Sequence, residues 1–139
     1  MLRIFIADDS VVVRGRLKEA LEEKGNIKVV GESGDAGQAI TEILKLDPQV
    51  IIIDIRMPGG GGLPVLRNLK ARTPDRIAII LTSFPFPQYR QAYLAAGADY
   101  FFDKTKDILQ MTDILLELAS KLGASPAEQP RRDSISRNA

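Results

Sequence analysis

The stretch Gln49-Val50-Ile51-Ile52-Ile53-Asp54 decides the fold. It is almost wholly β-branched and carries no alternation of polar and apolar residues. Such a run fits a central parallel strand buried on both faces. It ends on a carboxylate, Asp54, and Met57-Pro58 with four glycines, Gly59 to Gly62, reads as the loop that follows. On the amino side, Leu2 to Ala7 reads as a buried strand ending at Asp8-Asp9-Ser10. Ser10 is placed to cap a helix from Val11 to Lys24, with Val13, Leu17, Ala20 and Leu21 at helical spacing and Gly25 as its stop. Ile27 to Gly31 reads as a second strand. Asp35 and Gln38 form a capping pair for a helix through Lys45, whose apolar stripe is Ile40, Ile43 and Leu44.

The carboxyl side repeats the pattern. Pro64 suits the first turn of a helix through Arg72, and Thr73-Pro74-Asp75 punctuates it. Ile77 to Leu81 is a fourth strand ending at Thr82-Ser83. Pro85 and Pro87 stiffen the loop into a helix from Gln88 to Ala96, closed by Gly97. Ala98 to Phe102 is a fifth strand, ending at Asp103-Lys104. A last helix, Asp107 to Leu122, places Ile108, Met111, Leu115, Leu118 and Leu122 on one face. Five βα units in a row predict an α/β fold: a doubly wound parallel sheet with right-handed crossovers and helices on both faces, in three layers. Residues 1–122 form one domain on this reading, and residues 123–139, small, polar and Pro-containing, read as a disordered tail or linker.

Composition narrows the chemistry. The chain has 139 residues, a formal net charge of +1, and neither cysteine nor histidine. Disulfides, thiolate zinc sites, thiol nucleophiles and Ser-His-Asp catalysis are excluded. A metal here must take oxygen ligands, which favours Mg²⁺, Mn²⁺ or Ca²⁺. No basic face predicts direct nucleic-acid binding, and neither a signal peptide nor a membrane span is visible. A soluble cytoplasmic protein is the expectation.

In open parallel sheets, sites lie beyond the carboxyl ends of the strands. Those ends supply Asp8 and Asp9, then Asp54, Thr82 and Lys104. Three crowded carboxylates repel one another, and a divalent cation relieves the repulsion. One carboxylate can then attack phosphorus, while the cation, the Lys104 ammonium and the Thr82 hydroxyl each hold an oxygen of the transferred group. Asp54, at the end of the central strand, is the best nucleophile candidate. Each residue alone has an ordinary explanation, as helix cap, turn residue or solvated lysine. Complementary groups at four separate strand ends argue for a common reaction.

These residues resemble the receiver domain of two-component response regulators. The matching pieces are Asp8-Asp9, Asp54-Ile-Arg-Met-Pro-Gly with Gly62-Leu63, Leu81-Thr82-Ser83, and Gly97-Ala98-Asp99-Tyr100 leading to Lys104. The resemblance implies a flavodoxin-like sheet of order 2-1-3-4-5. It implies that Asp54 accepts a phosphoryl group from a phosphohistidine on a sensor histidine kinase or phosphotransfer protein. Mg²⁺ would be held by Asp9, Asp54 and the backbone carbonyl of Arg56, with Asp8 helping directly or through water. Lys104 would pair with the phosphoryl group, and Thr82 and Phe101 would form the two halves of a switch read by an effector or output domain. The chain would catalyse only its own phosphorylation and dephosphorylation.

The sequence also departs from the family pattern. Thr105 stands where proline usually follows the lysine, and Phe101 lacks the hydroxyl that many relatives carry. Arg56 and Phe84 occupy positions that in this family influence phosphoryl hydrolysis. Two forms fit the resemblance: a stand-alone receiver, or the receiver of a DNA-binding transcriptional regulator whose output domain lies outside the sequence. A Mg²⁺-dependent aspartyl-phosphate phosphatase needs a second Asp two residues after the nucleophile, where this chain has Arg56. A flavodoxin-like nucleotide binder would place phosphate against Asp8 and Asp9. Leu109, Ile114 and Leu116 lie off the main stripe of the last helix, and predict a homodimer or partner face beside the fourth and fifth strands.

Overall fold

The computed structural model describes residues 1–122. Five strands, β1 (Leu2–Ala7), β2 (Ile27–Ser33), β3 (Val50–Ile53), β4 (Ile77–Thr82) and β5 (Tyr100–Asp103), form one sheet of order β2-β1-β3-β4-β5. Every pairing is parallel. The helices α1 (Val11–Glu23), α2 (Ala36–Leu46), α3 (Gly62–Arg72), α4 (Pro87–Ala95) and α5 (Ile108–Leu122) alternate with the strands. The predicted tail, residues 123–139, lies outside the described residues.

Alternation along each strand divides the apolar residues between two cores. Phe5, Ala7, Ile51, Ile53, Ala78, Ile80 and Phe101 pack with α2, α3 and α4. Leu2, Ile4, Ile6, Val50, Ile52, Ile79, Leu81 and Phe102 pack with α1 and α5. The run 50–53 is fully buried, as an unalternated β-branched strand requires. Each of these side chains contributes roughly 1.5–3 kcal/mol by leaving water.

Several boundaries differ from the sequence reading for local reasons. β2 continues to Ser33 because it follows β1 past a register shift between Ile4 and Phe5. β5 starts at Tyr100 because the Ala98 N–H bonds back to Tyr93 and belongs to the close of α4. The buried side of α2 is Ala36, Ala39 and Ile43, and Leu44 is exposed. Small residues there let the helix approach the sheet. Ala20 is likewise exposed, while Leu17 and Leu21 carry α1. On α5, Met111, Leu115 and Ala119 are buried; Ile114 and Leu116 pack at the edge of the core, and Leu109 and Leu122 face solvent. Both predicted caps form: Ser10 Oγ accepts from Val13 N at 3.1 Å and Asp35 Oδ2 from Gln38 N at 3.0 Å.

Candidate functional site

The carboxyl edge of the sheet gathers Asp8, Asp9, Asp54, Thr82 and Lys104. Asp54 follows β3, and its N–H bonds to the Ala7 carbonyl at 2.9 Å, extending the β1–β3 ladder by one step. Its Oδ1 accepts from Ile55 N at 2.7 Å and its Oδ2 from Lys104 Nζ at 3.0 Å. The same ammonium lies 2.6 Å from Asp8 Oδ2. Asp8 is fixed further by its N–H to Ser33 O and by Oδ1, which accepts from Ser10 N at 2.9 Å. Asp9 is exposed, yet one carboxylate oxygen from each of Asp8, Asp9 and Asp54 lies within 4.8 Å of the others.

One ammonium therefore serves two buried carboxylates. Burial pushes the Asp54 carboxyl above the usual carboxylate range; Lys104 opposes this, and the neighbouring Asp8 charge adds to it. Burial alone would lower the Lys104 ammonium, but its bonds to Asp8 and Asp54 outweigh burial and hold it above the usual lysine range. The lysine is doubly compensated, whereas Asp54 is under-compensated. A hard divalent cation suits such a set of oxygens.

The loop after β3 turns tightly on glycine. Gly59, Gly60 and Gly61 adopt positive φ, and Gly62 begins α3 instead of belonging to the loop. A Cβ on Gly62 would fall 2.2 Å from the Asp54 carbonyl, so only glycine lets the helix start this close to the strand end. On the far side, Lys104 is positioned by its N–H to Thr82 O at 2.9 Å. The turn after it is held by Asp103 Oδ1, which accepts from both the N–H and the hydroxyl of Thr105. These two bonds hold Asp103 below the usual carboxylate range. The Lys104–Thr105 peptide is trans, and its N–H makes a bond that proline could not.

The remaining predicted residues are placed less directly. Thr82 is fully buried, and its hydroxyl accepts from Phe84 N at 3.0 Å, which commits it to its own loop. Phe101 lies inside the core, with Arg90 Nη1 reaching its carbonyl at 3.5 Å and the Arg90 guanidinium 5.8 Å from its ring. The Arg56 guanidinium stacks on Phe84, 3.9 Å from the ring centroid. That stack joins the loop after β3 to the loop after β4. The sequence reading passed over Arg14, whose guanidinium reaches the Asp8 carbonyl from α1. A cation near the positive end of a helix was the available signal.

A doubly wound sheet of order 2-1-3-4-5 with three carboxylates and a lysine at its carboxyl edge defines a class: flavodoxin-like α/β proteins with an acidic edge. Within that class, the chain belongs to the response regulator receiver domain family, which matches residues 4–116. It is 34% identical over 111 residues to the DNA-binding transcriptional activator DevR/DosR of Mycobacterium tuberculosis, covering 80% of this chain and 50% of that protein. The response regulator domain of Thermotoga maritima CheB superposes with a TM-score of 0.76 at 26% identity, covering 91% of this chain and 99% of that one. The signal receiver domain of NarL from M. tuberculosis gives 0.78 at 26% identity, covering 86% and 96%. The chain spans about half the length of curated relatives it matches, 50% of one and 58% of another. No helix among the described residues is long and apolar enough to cross a membrane.

Proposed function

We propose that this chain is a phosphorylation-dependent signalling switch. Its Asp54 takes a phosphoryl group from a phosphohistidine on a sensor kinase or phosphotransfer protein. The observation that carries this reading is the under-compensated Asp54 carboxylate, buried at the end of the central strand beside Asp8, Asp9 and Lys104. An Asp54 carboxylate oxygen forms the new bond to phosphorus, the phosphorus–nitrogen bond breaks, and the departing imidazole nitrogen keeps the electron pair. Asp9, Asp54 and the Arg56 carbonyl would hold Mg²⁺, with Asp8 directly or through water. The ion, when bound, neutralises the carboxylates and the phosphoryl oxygens.

The chain's own groups supply the rest. Lys104 moves from the carboxylates to the added phosphoryl oxygens, a short shift for an ammonium already 3.0 Å from Asp54. The Thr82 hydroxyl exchanges its bond with Phe84 N for a phosphoryl oxygen, which changes the loop after β4. Phe101, held inward, is the aromatic half of that switch. Residues 1–122 act as the receiver domain, in the cytoplasm, and their chemistry is limited to their own phosphorylation and dephosphorylation. Exposed Phe86, Leu94 and Leu109 on the α4–β5–α5 side support a homodimer or effector face there. A second reading, the receiver of a transcription factor with its output domain outside this sequence, draws on the DevR/DosR relative, half of whose length is matched.

Intact-mass measurement with a small phosphodonor and Mg²⁺ tests the acceptor. One added phosphoryl group is expected on the parent chain and none on Asp54→Asn. A parent that stays unlabelled with Mg²⁺ confirmed bound overturns the assignment.

A further inference from the structure

Asp8 and Asp9 share a peptide group, and the orientation of that group sets where both carboxylates point. The peptide is planar, so fixing the Asp8 carbonyl fixes the direction in which the Asp9 Cα follows it. Arg14 is the residue that fixes it. It lies one turn into α1, and side chains on a helix lean toward its N-terminus, here toward the acidic loop. Its Nη1 donates to the Asp8 carbonyl at 2.6 Å, and its Nε donates to Glu32 Oε1 at 2.8 Å. The side chain is only 14% exposed. The planar fork is thus held at two places by two different elements.

Gly34 makes room for it. A Cβ there would lie 2.7 Å from Arg14 Nη1, 3.3 Å from Asp9 Cα and 3.4 Å from the Asp8 carbonyl oxygen. The backbone at Gly34 is not in the left-handed region, so the glycine is required by space and not by conformation. Glu32 supplies the counter-charge, which limits how far the guanidinium competes with a cation at the carboxylates.

We propose that Arg14, with Glu32 behind it and Gly34 beside it, is a positioning residue for cation binding at Asp8 and Asp9. The inference rests on the Mg²⁺ reading of the site given above. The guanidinium bonds to the Asp8 carbonyl and to Glu32, not to the Asp8 or Asp9 carboxylate. It acts by holding the Asp8–Asp9 peptide, as outer-shell partners of metal ligands do.

Mg²⁺ titration of the full chain followed by amide NMR tests this without any phosphorylation step. Arg14→Lys keeps the charge but loses the fork, and a loss of Mg²⁺ affinity of about tenfold or more is expected with the metal-free fold retained. Gly34→Ala is expected to displace the guanidinium and weaken Mg²⁺ to a similar extent. The double variant should bind no more weakly than either single one, because both substitutions remove the same contact. Parental affinity in Arg14→Lys overturns the inference, even if its metal-free melting temperature falls. So do losses that add in the double variant. If Arg14→Lys does not fold, parental affinity in Gly34→Ala has the same force. A parent chain that does not bind Mg²⁺ overturns the metal reading itself, and this inference with it.

Discussion

At the amino edge of the sheet, Arg76 grips Asp47 with both nitrogens of its fork, at 2.8 and 2.9 Å from Nη2 and 3.1 Å from Nε. Arg3 donates to the backbone carbonyls of Leu46 and Asp47, and Gln49 Nε2 donates to Leu122 O at 2.7 Å. At the carboxyl edge, a single Lys104 ammonium is divided between Asp8 and Asp54, with Asp9 alongside. Both edges set a basic side chain against aspartates. At the first, Arg76 also pairs with Asp75 at 3.1 Å, but both carboxylates stand mostly in water, so sharing one guanidinium leaves no buried charge unmatched. At the second, buried negative charge outnumbers its one cation, which favours a further cation there. The proposed chemistry falls on the edge whose electrostatics are incomplete.

That contrast can be broken most easily at Lys104. Lys104→Ala leaves two buried carboxylates without their cation, and a loss of about 3 kcal/mol is expected in Mg²⁺-free buffer. Thermal melts should show Mg²⁺ restoring much of it. A loss under 1 kcal/mol would show that the edge is not short of positive charge.

Asp54→Asn should move stability in the opposite direction. The folded state raises the Asp54 pKa above its unfolded value, so the native chain binds this proton more readily than the unfolded one. Ionised Asp54 therefore costs stability above its folded pKa, and that cost is absent below the unfolded value of 3.8. Without Mg²⁺ at neutral pH, the Asn variant should melt higher, by a few degrees for a change of about 1 kcal/mol. The advantage should shrink as pH falls toward the ordinary carboxylate range. Melting temperatures measured from neutral pH downward check both the sign and the window. The smallest effect is expected at the other edge: Arg76→Ala breaks a partly exposed pair and should cost about 1 kcal/mol or less, in the same melts. A cost matching that of Lys104→Ala would erase the distinction between the edges.

Much of this arrangement could be read from the chain alone, for identifiable reasons. Val50 to Ile53 declared a buried strand because four β-branched residues leave no face for water. Asp35 and Gln38 declared a helix start because the capping bond spans three residues. The strand-end rule places Asp8, Asp54 and Lys104 at one edge, where the Lys104 ammonium meets both carboxylates. The structure supplied what long-range contacts decide. Leu44 is exposed and Ala39 buried because the face of α2 turned to the core is Ala36, Ala39 and Ile43, a phase that tertiary packing decides. The role of Arg14 is not specified by its place near the start of α1, because its targets are a backbone carbonyl and a glutamate 18 residues away. The commitment of the Thr82 hydroxyl to Phe84 N is likewise a property of one loop geometry, which composition does not specify.

The parallel sheet has a consequence for when the site can exist. Lys104 meets Asp54 across 50 residues of sequence, and the contact waits on β4 and β5 adding to β3 in turn. During synthesis, a chain that has not yet reached β5 carries Asp8 and Asp54 without the lysine that bridges them. The proposed acceptor site is complete only when β5 has docked, so its assembly reports that β1, β3, β4 and β5 stand in place.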